Sequence, residues 1–261
     1  MASQPPANLP LFYKNLIPLQ NGPHRAYRAR TTDKAPFFAG THAVPLTIDE
    51  FVFAQRNYPI VFSAGDNPVP LGLFGLNEGV NVFVEADGTL KREVYVPAYV
   101  RRYPYLLARL TPEAQELSLC FDPDSGLLSE SGDGPALFEN DKPSEATSAI
   151  LKFCEEFELS AQRTAAFVKE LLDMGLLMDG EVAIQITGQE QPYVYRGFQM
   201  VNEEKFRDLR GDELRKINQN GILPLIMAHL FSLSLVPEIF SKQARQGKGP
   251  QIGLMPQAGN A

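Results

Sequence analysis

Histidines are the side chains best suited to proton transfer or metal binding near neutral pH, because an unperturbed imidazole titrates at about pH 6.5. The chain has three, His24, His42 and His229, and they lie far apart in the sequence. Metal sites usually draw on clustered histidine, cysteine or carboxylate ligands. We therefore predict no metal and no cofactor. His42 is the one weak catalytic candidate, and a scaffold position is the favoured interpretation for it.

Arginines and tyrosines form a second group that could contact a ligand. Arg25 lies close to Arg28 in the sequence, and Tyr99 precedes the adjacent pair Arg101 and Arg102. Guanidinium groups bind carboxylates through paired hydrogen bonds, and tyrosine rings can line a groove for an extended peptide or sugar. These five residues are candidates for ligand contact. A salt-bridged surface is the favoured interpretation for the arginines, and the edge of the core for the tyrosine.

Motifs for phosphate binding and nucleophilic catalysis do not occur in the sequence. The glycines of GLFGLNEG (72–79) are not followed by Lys-Ser/Thr and lack the dinucleotide spacing. No G-x-S-x-G elbow is present, and Cys120 and Cys154 fall on predicted apolar faces. These observations favour a non-enzymatic binding or assembly protein. The alternative is a peptide-modifying or hydrolytic enzyme with a site assembled around His42.

Composition narrows the classes of partner. The 261 residues carry a formal net charge of −7, which argues against nucleic-acid binding through a broad basic surface and against a polybasic membrane patch. A protein or peptide partner is the expectation. Two cysteines and no visible secretory signal favour the cytoplasm. Location at the cell surface, by a route without a cleavable N-terminal signal, is the alternative.

The N-terminal half carries the patterns of strands and short helices. Thr47 and Glu50 form the capping-box pattern T-x-x-E at a helix start, and Leu46 with Phe51 fits a hydrophobic staple. The segment 80–96 alternates apolar and polar residues around an Asp-Gly dipeptide, which predicts a hairpin. We expect an α+β fold with a mixed or antiparallel sheet and β-hairpins in this half.

The C-terminal half is predicted to be rich in helices, with one hairpin. Helices are expected over 144–157 and 160–175, the latter capped by Ser160, and a hairpin around 188–192. The apolar run Ile222–Val236 has 15 residues, fewer than the roughly 20 of a membrane span, so we expect a buried helix. A homo-oligomer through this run is a further expectation.

Domain boundaries follow from the composition of the loops. Residues 1–10 are expected to be flexible, 11–240 to form a single domain, and 241–261 to be a disordered tail. The stretch 126–143, rich in Gly, Ser, Asp and Pro, is a candidate point of subdivision.

Several segments together resemble the bacterial SapC family over roughly residues 11–240. The matching motifs are FYKNLIPL, THAVPLTIDEF with NYPIVFS, VPLGLFGL, YVPAYVRRYP, ALFE with KPSEAT, YRGFQMVNEEKFRDL and GILPLIMAHLFSL. The resemblance implies an association with bacterial surface-layer arrays, from which the family takes its name. It carries no catalytic residues over to this chain. A similarly named permease of a peptide transporter is a different protein, which needs several membrane spans.

Overall fold

A computed structural model describes residues 9–91, 93–111, 113–114, 116–185 and 191–249. Most of its strands and helices are short. The α-helices are α1 (Asn21–His24), α2 (Phe51–Ala54), α3 (Ala98–Arg101), α4 (Glu145–Asp173), α5 (Glu203–Arg207), α6 (Gly211–Gln219), α7 (Ile222–Ser232) and α8 (Val236–Arg245). Single 3-10 turns cover Pro36–Phe38, Ile48–Glu50, Pro123–Ser125 and Leu233–Leu235.

The strands pair throughout as antiparallel neighbours. They are β1 (Ile17–Pro18), β2 (Arg28–Ala29), β3 (Ala43–Pro45), β4 (Ile60–Ser63), β5 (Pro70–Leu73), β6 (Tyr105–Ala108), β7 (Ser118–Phe121), β8 (Leu128–Ser129), β9 (Phe138–Glu139), β10 (Lys142–Pro143), β11 (Leu177–Ile184) and β12 (Tyr193–Val201). The largest sheet has the order β11-β12-β4-β5-β3, and a smaller one has the order β1-β7-β6. The predicted α+β class, with antiparallel sheets and a helix-rich C-terminal half, is confirmed.

The capping box predicted at Thr47 and Glu50 forms, and the Glu50 carboxylate accepts both hydrogen bonds from Thr47. Glu50 reaches back to the N–H of Thr47 at 2.9 Å, while the Thr47 hydroxyl donates to the same carboxylate oxygen. The other oxygen of Glu50 accepts the N–H of Ala98 at 2.6 Å and the hydroxyl of Tyr95 at 3.2 Å. This buried carboxylate therefore joins the start of α2 to the start of α3.

One long helix replaces the two helices predicted over 144–175. Helix α4 begins at the Ser144 cap, whose side chain accepts the N–H of Thr147, and continues unbroken to Asp173. The prediction that Ser160 caps a second helix was wrong. Its hydroxyl donates to Asp49 instead, and the helix continues through it because nothing there breaks the helical hydrogen bonds. The N-terminal half of α4 packs on the smaller sheet through Cys154, and the C-terminal half packs on the larger one through Leu171.

The hairpin predicted over 80–96 forms, but it is shorter than expected. Gly88 adopts the expected positive φ of 87° at a tight turn, and among the described residues Val84 pairs with Leu90 across it, with the N–H groups of Glu85 and Lys91 donating to Thr89 and Phe83 at 2.9 and 3.0 Å. The pairing is limited to this one bridge and does not extend into longer strands, and Val82, Phe83 and Val84 are buried in succession and do not alternate in exposure. The Asn81 side chain also occupies the N–H of Phe83.

Helix α7 forms side-chain hydrogen bonds to the main chain of Ile60, the first residue of β4. His229 is fully buried, its Nδ1–H donates to the carbonyl of Ile60 at 2.8 Å, and its Nε2 accepts the N–H of Val201 at 3.0 Å. Ser232 accepts the N–H of Ile60 at 2.8 Å. Two side chains of α7 thus provide the hydrogen bonds that a neighbouring strand would otherwise supply to Ile60.

The apolar run at α7 is buried on one face only. By length and composition, the helical run Ile222–Arg245 would suffice to cross a membrane, a test that the core helices of soluble proteins also pass. In its most apolar stretch, 39% is buried inside the fold. The opposite face remains exposed, and Phe231 retains 62% of its accessible surface.

The predicted start of a disordered tail at 241 falls inside α8 and is corrected here. Gln243 is fully buried, its Oε1 accepts the N–H of Leu76 at 2.9 Å, and its Nε2 donates to Asn77 and to the carbonyl of Lys248. These contacts hold the end of the helix in place. Residues 1–8 and 250–261, which cover most of the two predicted flexible ends, lie outside the described residues.

Candidate functional site

An apolar groove of about 680 Å³ lies between helix α4 and the ends of strands β3 and β5. We call it the α4 groove. On the helix side, its lining residues recur every three or four positions: Phe157, Ala161, Thr164, Ala165, Val168 and Leu172. This spacing places them on one face of α4 over about 22 Å, at 1.5 Å per residue. The small side chains of Ala161 and Ala165 leave room at the centre of the groove.

The opposite wall offers few main-chain hydrogen-bond donors. It consists of residues 45–47 and 67–70. Its prolines, which have no N–H, are Pro45, Pro68 and Pro70. The N–H groups of Leu46, Thr47 and Val69 already donate within the chain, to Pro70, Glu50 and Ser63 respectively. Among these wall residues, Asn67 alone has no such bond.

Polar side chains beneath the groove are also paired. Thr47 donates its hydroxyl to Glu50 at 2.9 Å. Thr164 donates to the carbonyl of Ser160 at 2.7 Å and accepts the N–H of Ile48 at 3.0 Å. The floor therefore has little polar bonding capacity left for a ligand. Lys169, at the rim, is the charged residue of the lining, and it pairs with Asp173 on the exposed helix surface.

One end of the groove is backed by a buried cation. The Arg102 guanidinium lies 4.5 Å from the ring centre of Tyr99 and 4.2 Å from that of Phe157, and both rings line the groove. Its Nη1 lies 3.3 Å from Glu158, while its buried Nε has no hydrogen-bond partner. Burial raises the pKa of Tyr99, which stays a neutral hydroxyl donating to Leu11. Arg102 thus stiffens this end by stacking.

The five candidate ligand-binding residues do not form one site. Tyr99, Arg101 and Arg102 lie at or near the α4 groove, whereas Arg25 and Arg28 lie elsewhere. Tyr99 lines the α4 groove and Arg102 lies behind it. Arg101 is exposed beside them, with its Nε donating to Val96 and its guanidinium over the Phe153 ring. Arg25 pairs with the exposed Asp141 at 3.1 Å, and Arg28 lies on β2 beside β8. Within the described ranges, no hydrogen bond, ion pair or ring contact joins Arg25 or Arg28 to the groove.

His42 lies outside the lining of the α4 groove. It is half-buried before β3, and its main-chain carbonyl accepts the N–H groups of Phe74 and Gly75 at 2.7 and 3.1 Å. Its ring has no hydrogen bond or ion pair with the residues that the structure describes. The enzymatic alternative around His42 therefore gains no supporting contact, and it stays a prediction.

Comparison with known proteins identifies the family. The family model for SapC matches residues 19–239, most of the chain and every residue that lines the groove. The chain belongs to the SapC family. The resemblance predicted from the sequence is thereby confirmed. No curated protein and no solved structure matches the chain.

Part of the helix face of the groove can be traced in the sequence of this SapC family member, where Ala165, Val168, Leu171 and Leu172 recur at helical spacing. The structure buries Val168 and Leu171 and leaves Ala165 and Leu172 exposed in the groove. A second signal was the set of prolines at 45, 68 and 70, but only the fold shows that they form one wall.

The two cysteines of this SapC family member lie in the core and not in an exposed site. Cys120 and Cys154 are free and buried, and burial raises the pKa of the Cys154 thiol to about 11. A thiol in that range is protonated at neutral pH and is a poor nucleophile. Among the described residues, no three His, Cys, Asp or Glu side chains are grouped closely enough to hold a metal ion.

Proposed function

We propose that this SapC family member is a non-enzymatic binding protein, and that the α4 groove holds an apolar segment of a protein or peptide partner. The observation that carries the proposal is a long, open apolar groove whose lining offers shape and apolar surface but almost no unpaired polar group. Such a surface gains free energy by burying apolar area. Catalysis needs groups positioned to exchange protons or to stabilise charge.

The bound segment is a helix, because the groove offers few free main-chain groups to an extended peptide. An extended peptide hydrogen-bonds through its main chain to the edge of a strand. The proline wall and the internally bonded α4 offer such a peptide few main-chain donors, and each buried unsatisfied group costs about 1–3 kcal/mol. A helix satisfies its own main chain and presents apolar side chains at spacings of three and four residues. A component of a bacterial surface layer is one class of partner that the family name suggests.

A bulky side chain in the groove tests this proposal. Ala165→Trp places an indole at the centre of the groove and should weaken the binding of a helical peptide at least tenfold. Ala166→Trp is the matched control, because Ala166 is exposed on the same helix and does not line the groove. The probes are peptides selected against the wild-type protein from a displayed library of amphipathic helices. Affinities are measured by isothermal titration calorimetry.

The proposal fails if the selection enriches no peptide, or if the enriched peptides bind the Ala165→Trp and wild-type proteins equally well. Circular dichroism of both tryptophan variants separates a blocked groove from a disturbed fold. The cytoplasmic location expected from the sequence also stays a prediction, and cell fractionation tests it independently.

A further inference from the structure

The second large apolar feature of the surface is a helix face without a cover. We call it the α7 face, and it consists of Leu223, Pro224, Met227, Leu230 and Phe231. These residues follow one side of α7 at helical spacing, and each is half-buried or exposed. Of the large apolar side chains that the structure describes, Phe231 is the most exposed, at 62%. A side chain of this kind, protruding from a regular helix, is suited to act as an anchor in a partner's pocket.

We propose that the α7 face of one copy of this chain docks in the α4 groove of a second copy, with Phe231 as the anchor beside Ala161 and Ala165. This inference rests on the proposed function, since it names the helical segment that the groove holds. The two surfaces match in kind. The groove needs a helix that satisfies its own main chain, and α7 is such a helix, with no charged residue between Ile222 and Ser232.

Charge complementarity supports a second copy as the occupant. Glu238 is exposed on α8 and makes no ion pair with the residues described. It follows Phe231 by seven residues, three of them in the 3-10 turn Leu233–Leu235, which is about 12 Å along the helical run. On the groove side, Lys169 follows Ala161 by eight residues, about 12 Å along α4. With the two helices running in the same direction, Phe231 at Ala161 places Glu238 close to Lys169.

The present partner of Lys169 does not prevent this pairing. Lys169 and Asp173 are both well exposed, and exposed pairs of this type contribute little to stability. The lysine can therefore turn towards a new carboxylate without a large loss.

The proposed contact is heterologous, because two different surfaces of the chain meet. After a first contact, one copy keeps a free groove and the other keeps a free α7 face, so assembly continues head to tail into a ring or an open chain. A self-complementary contact between two α7 faces would instead stop at a dimer. Oligomer size and complementation between variants distinguish these arrangements.

The experiment compares three full-length variants with the wild-type protein by sedimentation velocity and light scattering over a wide concentration range. The wild-type protein should form species larger than the 28.9 kDa monomer in a concentration-dependent way. Phe231→Asp removes the anchor and Ala165→Trp blocks the groove, so each should be monomeric when alone. Leu159→Asp is the control: Leu159 is exposed on α4 but outside the groove, and this variant should assemble like the wild type.

Mixing the two defective variants is the decisive measurement. Phe231→Asp retains an intact groove and Ala165→Trp retains an intact α7 face, so the mixture should form a 1:1 complex that grows no further. In the charge-exchange series, Lys169→Glu and Glu238→Lys should each weaken assembly about fivefold, and the double variant should recover most of the loss.

Three results would overturn the inference. One is a wild-type protein that stays monomeric at every concentration. Another is assembly that is lost in Phe231→Asp but kept in Ala165→Trp, which indicates contact between two α7 faces. The third is a mixture of the two variants that remains monomeric. If the groove still binds selected helical peptides in any of these cases, the proposed function stands and only the identity of the partner is wrong.

Discussion

Replacing Glu50 with alanine should lower the free energy of unfolding by about 3 kcal/mol or more. The carboxylate accepts four hydrogen bonds, two from Thr47, one from Tyr95 and one from the N–H of Ala98. Its removal leaves donors in a buried site without acceptors and separates the start of α2 from that of α3. Urea denaturation followed by far-ultraviolet circular dichroism measures the loss.

Asp49 provides the matched control for this prediction. It is the adjacent acid in the same turn, but it is exposed and pairs with Arg163 and Ser160 at the surface. Asp49→Ala should therefore cost less than about 1 kcal/mol. Equal losses for the two alanine variants would contradict the role given to Glu50. Tyr95→Phe removes one of the four donors and should give an intermediate loss.

Acid should destabilise the protein through His229. Burial lowers the pKa of this imidazole from its ordinary value of 6.5 to about 4. A second ring proton would also face the N–H of Val201, which Nε2 now accepts. Between pH 6.5 and 4, the unfolded chain binds a proton that the folded chain does not. The free energy of unfolding is therefore at its full value above pH 6.5, and it falls by about 3 kcal/mol as the pH drops to 4.

A comparison of variants isolates this contribution from the titration of the carboxyl groups. His229→Gln removes the titrating group, so its free energy of unfolding should vary less with pH than that of the wild type between pH 6.5 and 4. His24, whose pKa is also lowered by burial, adds a smaller slope of the same sign. Parallel curves for the wild type and His229→Gln would show that the buried imidazole is not responsible.

Local patterns predicted the elements whose hydrogen bonds are local. The T-x-x-E cap needs only residues within one turn, and it forms where the sequence placed it. The pairing of β11 with β12 likewise depends on near neighbours. The hairpin over 80–96 forms around its local Asp-Gly turn, where Val84 pairs with Leu90, but its alternation did not predict that Val82, Phe83 and Val84 are all buried.

The α4 groove could not be predicted from the sequence, since it depends on residues about 100 positions apart. Pro45 and Pro70 meet through the pairing of β3 with β5, and only then does α4 lie across from them. Helical periodicity cannot distinguish an apolar face that packs on a core from one that borders a groove. Only part of the role of Glu50 could be predicted from the sequence. Its cap was local, but its bonds to Tyr95 and Ala98 join segments nearly 50 residues apart.

The order of strands in the large sheet has a consequence for synthesis on the ribosome. Strand β4 lies between β5, which follows it closely in the chain, and β12, which is made more than 100 residues later. The edge of β4 that pairs with β12 and contacts α7 therefore stays unpaired until most of the polypeptide has left the ribosome. Such delayed pairing leaves the apolar strand Ile60–Ser63 exposed in the nascent chain, so aggregation is expected to compete with folding until β12 and α7 have emerged.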